Sequence, residues 1–394
     1  MKNSKNILAI SYLFPNVERP NHGVFVFNRL SAMNKYVNVT VINPIPWSPI
    51  HGKIAKFKHL QHIPYKTQRG GLTIYHPRYF SIPGGFKFVE VYTYKQAVKK
   101  VINEIGFDFD LIDLHWTFPD LPAGDYLSNK YQVPYCVTLR GMEAFHHQDG
   151  GIREKVVAHY LNRVDGIISL SQEMADEANR IAQLKSTPRV IRNGVDIDTF
   201  YFKAQLTCRK KLNLNPEHRI ILGVGALIYR KGFDVVIQSL KEIISHPDLT
   251  NTHFYVLGSE GAEGDYRAQL TQLVDSHGLS SHVHFVGAVP NESLVDWYNA
   301  ADVFCLSSRG EGSPNVLTEA LACGCPSVAT NVGSVKDIMQ SDTNTGIMID
   351  VDDVKQTSDA LCYVLEHEYD RKKLSEKQRM YSWDWCARQV LNIE

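Results

Sequence analysis

Residues 301–333 of the chain read ADVFCLSSRGEGSPNVLTEALACGCPSVATNVG, and this stretch decides the fold. The apolar run 303–306 is typical of a buried parallel strand. The small, polar and glycine-rich residues 307–312 predict a loop at the carboxyl end of that strand. A helical pattern over 316–323 and a second apolar run over 326–330 follow the loop. We therefore predict a strand-loop-helix-strand unit.

Both ends of the predicted helix carry recognisable signals. Ser313 is a good N-cap residue, Pro314 suits the first helical position, and Gly324 suits the C-terminal cap. Near Asn315 and Val316, the first turn has backbone N–H groups that lack a carbonyl partner within the helix. Such a helix N-terminus attracts a phosphate group.

Two carboxylates flank this predicted phosphate site. Glu311 lies in the loop, and Glu319 lies about a turn and a half into the helix. Their placement suits a ligand with hydroxyl groups at both ends, a sugar on one side and a ribose on the other, which is the outline of a nucleotide sugar. On spacing alone, the alternative that both residues are ordinary solvated charges stays open.

The surrounding residues, EGSPNVLTEALACGCPSVAT over 311–330, resemble the signature of the retaining glycosyltransferases of the GT-B fold, family 4. The resemblance covers nearly the whole chain. It implies an α/β fold class, with two doubly wound, Rossmann-like domains that face each other across a cleft. It also implies that Glu311 contacts the transferred sugar and that Glu319 contacts the donor ribose.

Bulk composition agrees with a globular protein of two domains. A chain of 394 residues exceeds one typical core, and its content of 44% hydrophobic and 21% charged residues is ordinary for a soluble protein. No run approaches the roughly 18 apolar residues of a membrane span. The apolar N-terminal run leads into Pro15 without a cleavage site, which favours a first strand over a signal peptide. The seven cysteines are scattered, so we expect buried thiols in a reducing cytoplasm.

The N-terminal part of the chain predicts a doubly wound domain. An apolar strand over 6–14, a loop, a helix over 24–35 and a strand over 37–43 follow one another. The loop ends in Gly23 at the helix start, where a backbone can approach a phosphate closely. The fingerprint G-x-G-x-x-G is absent. The resemblance implies that Gly23 touches the donor pyrophosphate.

The stretch 190–196, VIRNGVD, resembles the turn that ends the first domain in this family. We therefore predict an acceptor-binding Rossmann-like domain over 1–195 and a nucleotide-sugar-binding Rossmann-like domain over 206–375. A final helix over 373–391 is predicted, and the resemblance implies that 376–394 crosses back onto the first domain.

The first loop of the second domain offers cations for a diphosphate. Arg230 and Lys231 precede a predicted helix start, and both can neutralise phosphate charge. The family often has arginine after Gly225, where this chain has Ala226; Lys231 matches the family lysine, and Arg230 is a neighbour that can compensate. A degenerate dinucleotide turn is the other interpretation of this loop. The resemblance also implies that Gly287 and Ala288 meet the nucleotide base through their backbone.

Arg140 departs from the family pattern. Where the family usually reads H-G-S-D, this chain reads Arg140-Gly-Met-Glu143. We expect Arg140 either to supply positive charge at the donor phosphate or to bind an acidic acceptor. The alternative is a simple ion pair with Glu143.

The charge of the chain is divided unevenly. Residues 1–195 hold 24 Lys and Arg against 15 Asp and Glu, while 196–394 hold 18 against 27. Within the basic part, 44–69 interleaves five Lys or Arg with apolar residues such as Trp47, Leu60 and Tyr65. This pattern favours contact with an anionic membrane surface, and the alternative is a surface loop whose apolar residues dock on the domain. No nucleic-acid-binding module is visible.

Taken with these patterns, the resemblance implies a retaining glycosyltransferase. It would move a hexose-type sugar from a UDP- or GDP-sugar to a glycan or a lipid-pyrophosphate-linked acceptor, in surface polysaccharide biosynthesis, as a cytoplasmic or peripheral inner-membrane protein. No D-x-D motif stands in a suitable loop, so we expect no metal and no cofactor. Lys231, Arg230 and the amides at Asn315 and Val316 would then meet the charge of the leaving diphosphate.

Three alternatives stay open. A nucleotide-sugar epimerase shares the double-domain frame and would act on the donor without an acceptor. A phosphorylase would accept free phosphate and would need a cofactor lysine. A catalytically reduced sugar-binding protein at the membrane surface would explain Ala226 and Arg140.

Overall fold

The computed structural model describes residues 5–49, 58–82, 87–141, 151–261, 263–339 and 344–393. The chain divides into two compact units. The first consists of Met1–Asn193 together with Trp383–Glu394, and the second of Gly194–Ser382. Each unit is built around a parallel sheet with helices between successive strands.

The first unit contains an eight-stranded sheet and a separate strand pair. Its strands are β1 (Asn6–Ile10), β2 (Asn38–Ile42), β3 (Ile45–Trp47), β4 (Lys66–Arg69), β5 (Leu72–Tyr75), β6 (Arg78–Phe80), β7 (Leu111–Leu114), β8 (Tyr135–Leu139), β9 (Gly166–Ser169) and β10 (Arg189–Val190). The sheet order is β10-β9-β8-β7-β1-β2-β5-β4, and β3 pairs with β6. Only β4 runs antiparallel to its neighbour among these described pairs. The central strand β1 is apolar and buried over 7–10 because it has neighbours on both sides and a packed layer on each face.

Among the described residues, five helices of the first unit precede the crossing to the second. They are α1 (Val24–Met33), α2 (Lys87–Ile105), α3 (Asp120–Tyr131), α4 (Ile152–Leu161) and α5 (Gln172–Ile181). The helix α2 has the most turns of the five, and its inward face packs into the core beneath β7 and β8. Within the described residues, no helix combines the length and the apolar character that crossing a bilayer requires.

The second unit is a six-stranded, wholly parallel sheet. Its strands are β11 (Arg219–Val224), β12 (Thr252–Leu257), β13 (Val283–Gly287), β14 (Val303–Leu306), β15 (Ser327–Thr330) and β16 (Gly346–Ile349). The order β13-β12-β11-β14-β15-β16 reverses direction between β11 and β14. Loops that follow two strands at such a switch point open a crevice, which is where open α/β sheets bind ligands.

In the described part of the second unit, eight helices connect and flank these strands. They are α6 (Gln205–Lys211), α7 (Phe233–Ile243), α8 (Arg267–Ser276), α9 (Asn291–Ala300), α10 (Asn315–Ala322), α11 (Val335–Met339), α12 (Val354–Glu366) and α13 (Arg371–Arg379). The predicted strand-loop-helix-strand unit is present as β14, its loop, α10 and β15. The buried strand β14 occupies 303–306, the range that its apolar run predicts.

The prediction of one continuous helix over 373–391 was wrong. The helix α13 ends at Arg379, and a separate helix α14 (Trp383–Leu391) follows. Between them the chain extends, because Ser382 forms a β-bridge with Val195 and the Tyr381 carbonyl accepts the Val195 N–H at 3.0 Å. The helix α14 belongs to the first unit, where the Asp384 carboxylate accepts the Tyr36 hydroxyl at 2.9 Å.

We predict that Gly324→Ala destabilises the second unit by about 3 kcal/mol or more. Gly324 has φ +75° after α10, and a Cβ there would lie 2.1 Å from the Arg371 carbonyl oxygen. Gly278 is the matched control, because it has φ +68° and open space around its Cβ direction. Gly278→Ala should cost only the left-handed backbone penalty, about 1–2 kcal/mol. Urea unfolding followed by circular dichroism measures both, and equal losses would contradict the role of the close approach.

Candidate active site

An ion pair joins the two loops at the switch point of the second unit. Lys231 ends a short 3₁₀ turn between β11 and α7, and Glu311 lies in the loop between β14 and α10. The Lys231 Nζ lies 2.6 Å from Glu311 Oε1, and the Ser308 hydroxyl donates to the same oxygen at 2.7 Å. Glu311 is thus fixed in orientation by a cation and a hydroxyl.

Backbone contacts hold these two loops together. Gly232 has φ +63°, and a Cβ at this position would lie 1.9 Å from the Ser307 carbonyl oxygen. The Ser307 hydroxyl donates to the Lys231 carbonyl at 3.0 Å, and the Arg309 N–H donates to the Arg230 carbonyl at 2.7 Å. Only glycine permits this approach, so the placement of the Lys231–Glu311 pair depends on Gly232.

Arg230 points into the same loop cluster. Its guanidinium donates to the Gly310 carbonyl at 2.8 Å and lies 3.6 Å from Glu311 Oε2. It also binds Glu263, whose Oε1 accepts from Nη2 at 2.7 Å. Glu263 was not among the predicted residues, because nothing in its local sequence indicates that the loop 259–264 folds towards Arg230.

The start of α10 differs from its prediction. Pro314 is the N-cap and Asn315 is the first helical residue, so the assignment of Ser313 as N-cap and of Pro314 as first helical residue was wrong. The Ser313 hydroxyl instead accepts a hydrogen bond from the Ser334 hydroxyl at 3.0 Å. Pro314 has no side-chain acceptor, so the N-cap residue itself makes no side-chain hydrogen bond to the first turn.

Glu319 lies one turn into α10 in a different environment from Glu311. The Tyr298 hydroxyl, from α9, donates to Glu319 Oε2 at 3.0 Å. Burial raises the pKa of the Glu319 carboxyl to about 7, and the nearby Asp196 carboxylate acts in the same direction. Tyr298 was not predicted as a site residue, because the pattern of an amphipathic helix predicts a core position for an aromatic side chain.

Three glycines line the carboxyl edge of the sheet beside this cluster. A Cβ on Gly225 would lie 3.1 Å from Lys231 Cε, so the glycine leaves room for the lysine stem. Gly258 was not predicted, yet its Cβ would lie 1.8 Å from the Gly225 carbonyl oxygen, and its N–H donates to the Gly287 carbonyl at 2.9 Å. Ala288 follows Gly287 directly. The predicted residues Gly225, Gly287 and Ala288 therefore lie on the edge that carries Lys231.

Gly23 lies in the first unit. It is the N-cap of α1, with φ +72°, and a Cβ there would lie 2.8 Å from the Leu13 carbonyl carbon. Its loop lines a small pocket that includes Tyr12, Arg19 and His22. The contact of Gly23 with a donor pyrophosphate stays a prediction.

Arg140 also lies in the first unit and is buried. Its guanidinium lies 2.9 Å from His115 Nδ1 and donates to Asn193 Oδ1 at 3.3 Å, with its flat face 5.3 Å from the Phe25 ring centre. Burial lowers the pKa of Arg140 to about 9, so it is charged at neutral pH. The alternative partner, Glu143, lies outside the described residues.

The described part of the segment 44–69 is divided between exposed and buried side chains. Trp47 and Tyr65 are exposed, whereas Leu60 is 4% exposed and packs with Ile45 and Ile63. Leu60 is therefore covered by other residues of the same segment. Within the described residues, no three His, Cys, Asp or Glu side chains form a group that could hold a metal ion.

We predict that Glu319 makes folding stability fall as pH rises from about 4.5 to about 7. The folded state keeps a proton that the unfolded state releases over this range. The free energy of the unfolded state therefore falls relative to that of the folded state as pH rises. Relative to wild type, Glu319→Gln should become more stable by about 2–3 kcal/mol between pH 4.5 and 7.5. Urea unfolding at several pH values measures this, with exposed Glu376→Gln as control. Parallel pH profiles of wild type and Glu319→Gln would contradict the raised pKa.

Comparison with known proteins assigns a family to these features. The model of "Glycosyltransferase Family 4" matches residues 24–199, and that of "Glycosyl transferases group 1" matches residues 205–381. The D-inositol 3-phosphate glycosyltransferase of Xylanimonas cellulosilytica is 30% identical over 309 residues, which cover 72% of this chain and 71% of that protein. TuaC of Bacillus subtilis, whose name places it in teichuronic acid biosynthesis, is 26% identical over 341 residues, 84% of this chain and 82% of TuaC.

Solved structures share the fold. Sucrose-phosphate synthase from Thermosynechococcus elongatus superposes with a TM-score of 0.78 at 20% identity, with 98% of each chain covered. HepE of Anabaena, solved in complex with UDP and glucose, superposes with a TM-score of 0.73 at 17% identity, with 99% of each chain covered. The chain belongs to glycosyltransferase family 4 of the glycosyl transferases group 1, and its two Rossmann-like domains are those of a GT-B glycosyltransferase.

Proposed function

We propose that this glycosyltransferase moves a hexose-type sugar, with retention at the anomeric carbon, from a UDP- or GDP-sugar to a glycan or lipid-pyrophosphate-linked acceptor. One observation carries the proposal: Lys231 Nζ lies 2.6 Å from Glu311, with Arg230 3.6 Å from the same carboxylate, in the loop that leads into α10. A carboxylate that can hold sugar hydroxyls thus stands next to the cations that a diphosphate requires.

The names of similar proteins support the donor and the setting. HepE has been solved with UDP and glucose, which agrees with a UDP-sugar donor. TuaC is named for teichuronic acid biosynthesis, which agrees with a role in building a glycan. The basic first unit fits an acceptor that carries phosphate.

The reaction follows from the charges in the loop cluster. As the bond between the anomeric carbon and the diphosphate breaks, negative charge grows on the leaving oxygen. Lys231, Arg230 and the amides of Asn315 and Val316 stabilise it. The acceptor hydroxyl forms the new bond on the face that the diphosphate leaves, and its proton passes to a phosphate oxygen. This chain therefore needs no separate general base, and we propose no metal or cofactor.

The remaining site residues bind the donor. Glu311 orients the sugar hydroxyls and favours positive charge at the anomeric carbon, and Glu319 accepts from the ribose. The other proposed donor contacts come from backbone and small side chains: Gly23, Gly225, Gly287, Ala288, Ser313 and Pro314. Since Gly225, Gly287 and Ala288 share one sheet edge, they suit a base that is read by backbone groups.

Donor binding tests the proposal directly. A ligand that binds only the folded state raises the melting temperature, by an amount equivalent to about 2.7 kcal/mol at a hundred times its Kd. We expect UDP- or GDP-sugars to raise it and ADP-sugars to leave it unchanged, with and without EDTA. Turnover that requires an acceptor then separates a transferase from an epimerase. Failure of every nucleotide sugar to bind would refute the proposal.

We predict that Glu311→Ala lowers kcat by about 10²–10³-fold, because the sugar loses its orienting carboxylate and Lys231 loses its partner. Initial rates with the identified donor measure this. Glu376→Ala, an exposed glutamate on α13, is the control and should retain wild-type rates. Wild-type turnover by Glu311→Ala would remove Glu311 from the mechanism.

We predict that Arg230→Gln and Lys231→Gln each weaken binding of the nucleoside diphosphate by about 10–100-fold, the value of one charged hydrogen bond. Binding of the nucleoside alone should not change, since it has no phosphate. Calorimetry with UDP or GDP and with uridine or guanosine separates the two effects. The exposed Lys241→Gln on α7 serves as control. An unchanged Kd for the diphosphate in both variants would mean that neither cation contacts it.

A further inference from the structure

An arginine to which the mechanism above gives no role lies in the middle of the loop 307–312. Arg309 is the third residue after β14 and comes two residues before Glu311. Its side chain is only 14% exposed. A guanidinium with so little water around it needs partners that offset its charge. The partners of Arg309 therefore indicate what this side chain does.

Asp234 holds the guanidinium by a two-point contact. Asp234 lies in the first turn of α7, and its Oδ1 and Oδ2 accept from Arg309 Nη1 and Nη2 at 3.0 and 2.7 Å. The Asp234 side chain is 12% exposed, so little water competes for the ion pair. Paired hydrogen bonds of this kind fix the geometry as well as the distance. The contact ties the loop 307–312 to the start of α7, 75 residues away in the chain.

Arg309 also contacts the turn 229–231, which carries Lys231. Its Nη1 donates to the Tyr229 carbonyl, and the guanidinium carbon lies 3.8 Å from the centre of the Tyr229 ring. The backbone N–H of Arg309 donates to the Arg230 carbonyl at 2.7 Å. Side chain and backbone of one residue thus hold the two residues that come directly before Lys231.

A third element reaches the same guanidinium. Asp352 lies in the turn between β16 and α12, and its Oδ1 is 2.7 Å from Arg309 Nη2. The Asp352 side chain is 48% exposed, so this pair contributes less than the pair with Asp234. Burial acts to lower the pKa of Arg309, but the hydrogen bonds to Asp234 and Asp352 outweigh it and raise the pKa above its usual value. Arg309 therefore stays charged and bound.

These contacts make Arg309 a poor ligand for the donor itself. Its Nη1 and Nη2 atoms both face carboxylates, and the Asp234 and Asp352 side chains would repel a phosphate at this place. The structure therefore separates Arg309 from Arg230 and Lys231, for which we propose direct contact with the diphosphate.

We propose that Arg309 is a positioning residue, which holds the loop 307–312 against the turn 229–231 and so sets the distance between Glu311 and Lys231. The inference rests on the proposed function, because it assigns to Arg309 the preorganisation of that same site. Without Arg309 the two segments would have to be ordered when the donor binds, which lowers affinity. A misplacement of about 1 Å among reacting groups also lowers the rate by about 100-fold.

Substitution of Arg309 tests the positioning role. We expect Arg309→Gln to weaken binding of UDP or GDP by about tenfold and to lower kcat by about 100-fold, with uridine or guanosine binding unchanged. Arg309→Lys restores the charge without the two-point contact, so it should recover only part of the loss. Asp234→Asn should resemble Arg309→Gln, because it removes the other half of the contact. Calorimetry and initial rates measure these effects.

A double-variant cycle separates positioning from a general loss of stability. In a Lys231→Gln background, Arg309→Gln should weaken diphosphate binding by about threefold or less, because the lysine that it positions is absent. Arg267→Gln is the matched control: it removes a guanidinium that lies 4.3 Å from the Phe285 ring centre on the same unit, and it should bind and turn over as wild type does.

Hydrogen exchange of the free protein gives a measurement that needs neither donor nor acceptor. Amides of 228–232 and 307–312 should exchange faster in Arg309→Gln than in wild type, with the other strands of the second unit unchanged. If Arg309→Gln does not fold, Arg309→Lys and Asp234→Asn provide the same comparison, because each keeps one charge of the pair.

Two results would overturn the inference. One is wild-type diphosphate affinity and turnover in folded Arg309→Gln. The other is a full tenfold loss from Arg309→Gln in the Lys231→Gln background, since the effect would then not pass through the lysine. A wild-type protein that binds no nucleotide sugar would refute the proposed function, and faster exchange in both segments would still show that Arg309 holds them together.

Discussion

The approach of the loops after β11 and β14 is the constraint on which the site depends. Parallel strands on either side of the switch point end at the same edge, and Gly232 permits the two loops to meet, since a Cβ there would lie 1.9 Å from the Ser307 carbonyl oxygen. Lys231 and Glu311 are 80 residues apart in the chain, yet backbone contacts on rigid elements hold them together. The charges therefore need little reorganisation when a diphosphate arrives, which is what electrostatic catalysis requires.

The two carboxylates differ because their surroundings differ. Glu311 has Lys231 at 2.6 Å and Arg230 at 3.6 Å to offset its charge. Glu319 has the Tyr298 hydroxyl as its hydrogen-bond donor, and burial raises its pKa to about 7. A group with that pKa is partly protonated near neutral pH, so it can both donate to and accept from a ribose hydroxyl. A carboxylate held beside two cations suits a centre that gains positive charge, so the environments agree with the separate roles that we propose.

Features that depend on local interactions could be predicted from the sequence, whereas contacts between distant segments could not. The apolar run 303–306 defines its strand because burial on both faces leaves a local pattern. The hydroxyl of Ser313 could not be placed, because Ser334, its partner, comes from a different loop. Tyr298 and Glu263 were missed for the same reason, since helix and loop patterns do not tell which partner a polar atom will meet. The helix is interrupted at 380–382 because the chain pairs with Val195 there. This pairing requires no helix-terminating residue, so the sequence pattern does not indicate the interruption.

The same energetics separate the two arginines that were predicted to serve a phosphate. Arg140 is buried against His115, Asn193 and Phe25, and releasing it would leave a desolvated cation without its partners. Arg230 binds Glu263, whose side chain is 46% exposed, and an ion pair with that much solvent contact is worth little. Freeing Arg230 for a phosphate therefore costs less than freeing Arg140, whose contacts tie the end of β8 to Asn193. This comparison favours Arg230 as the cation that we propose in place of the family arginine missing at Ala226.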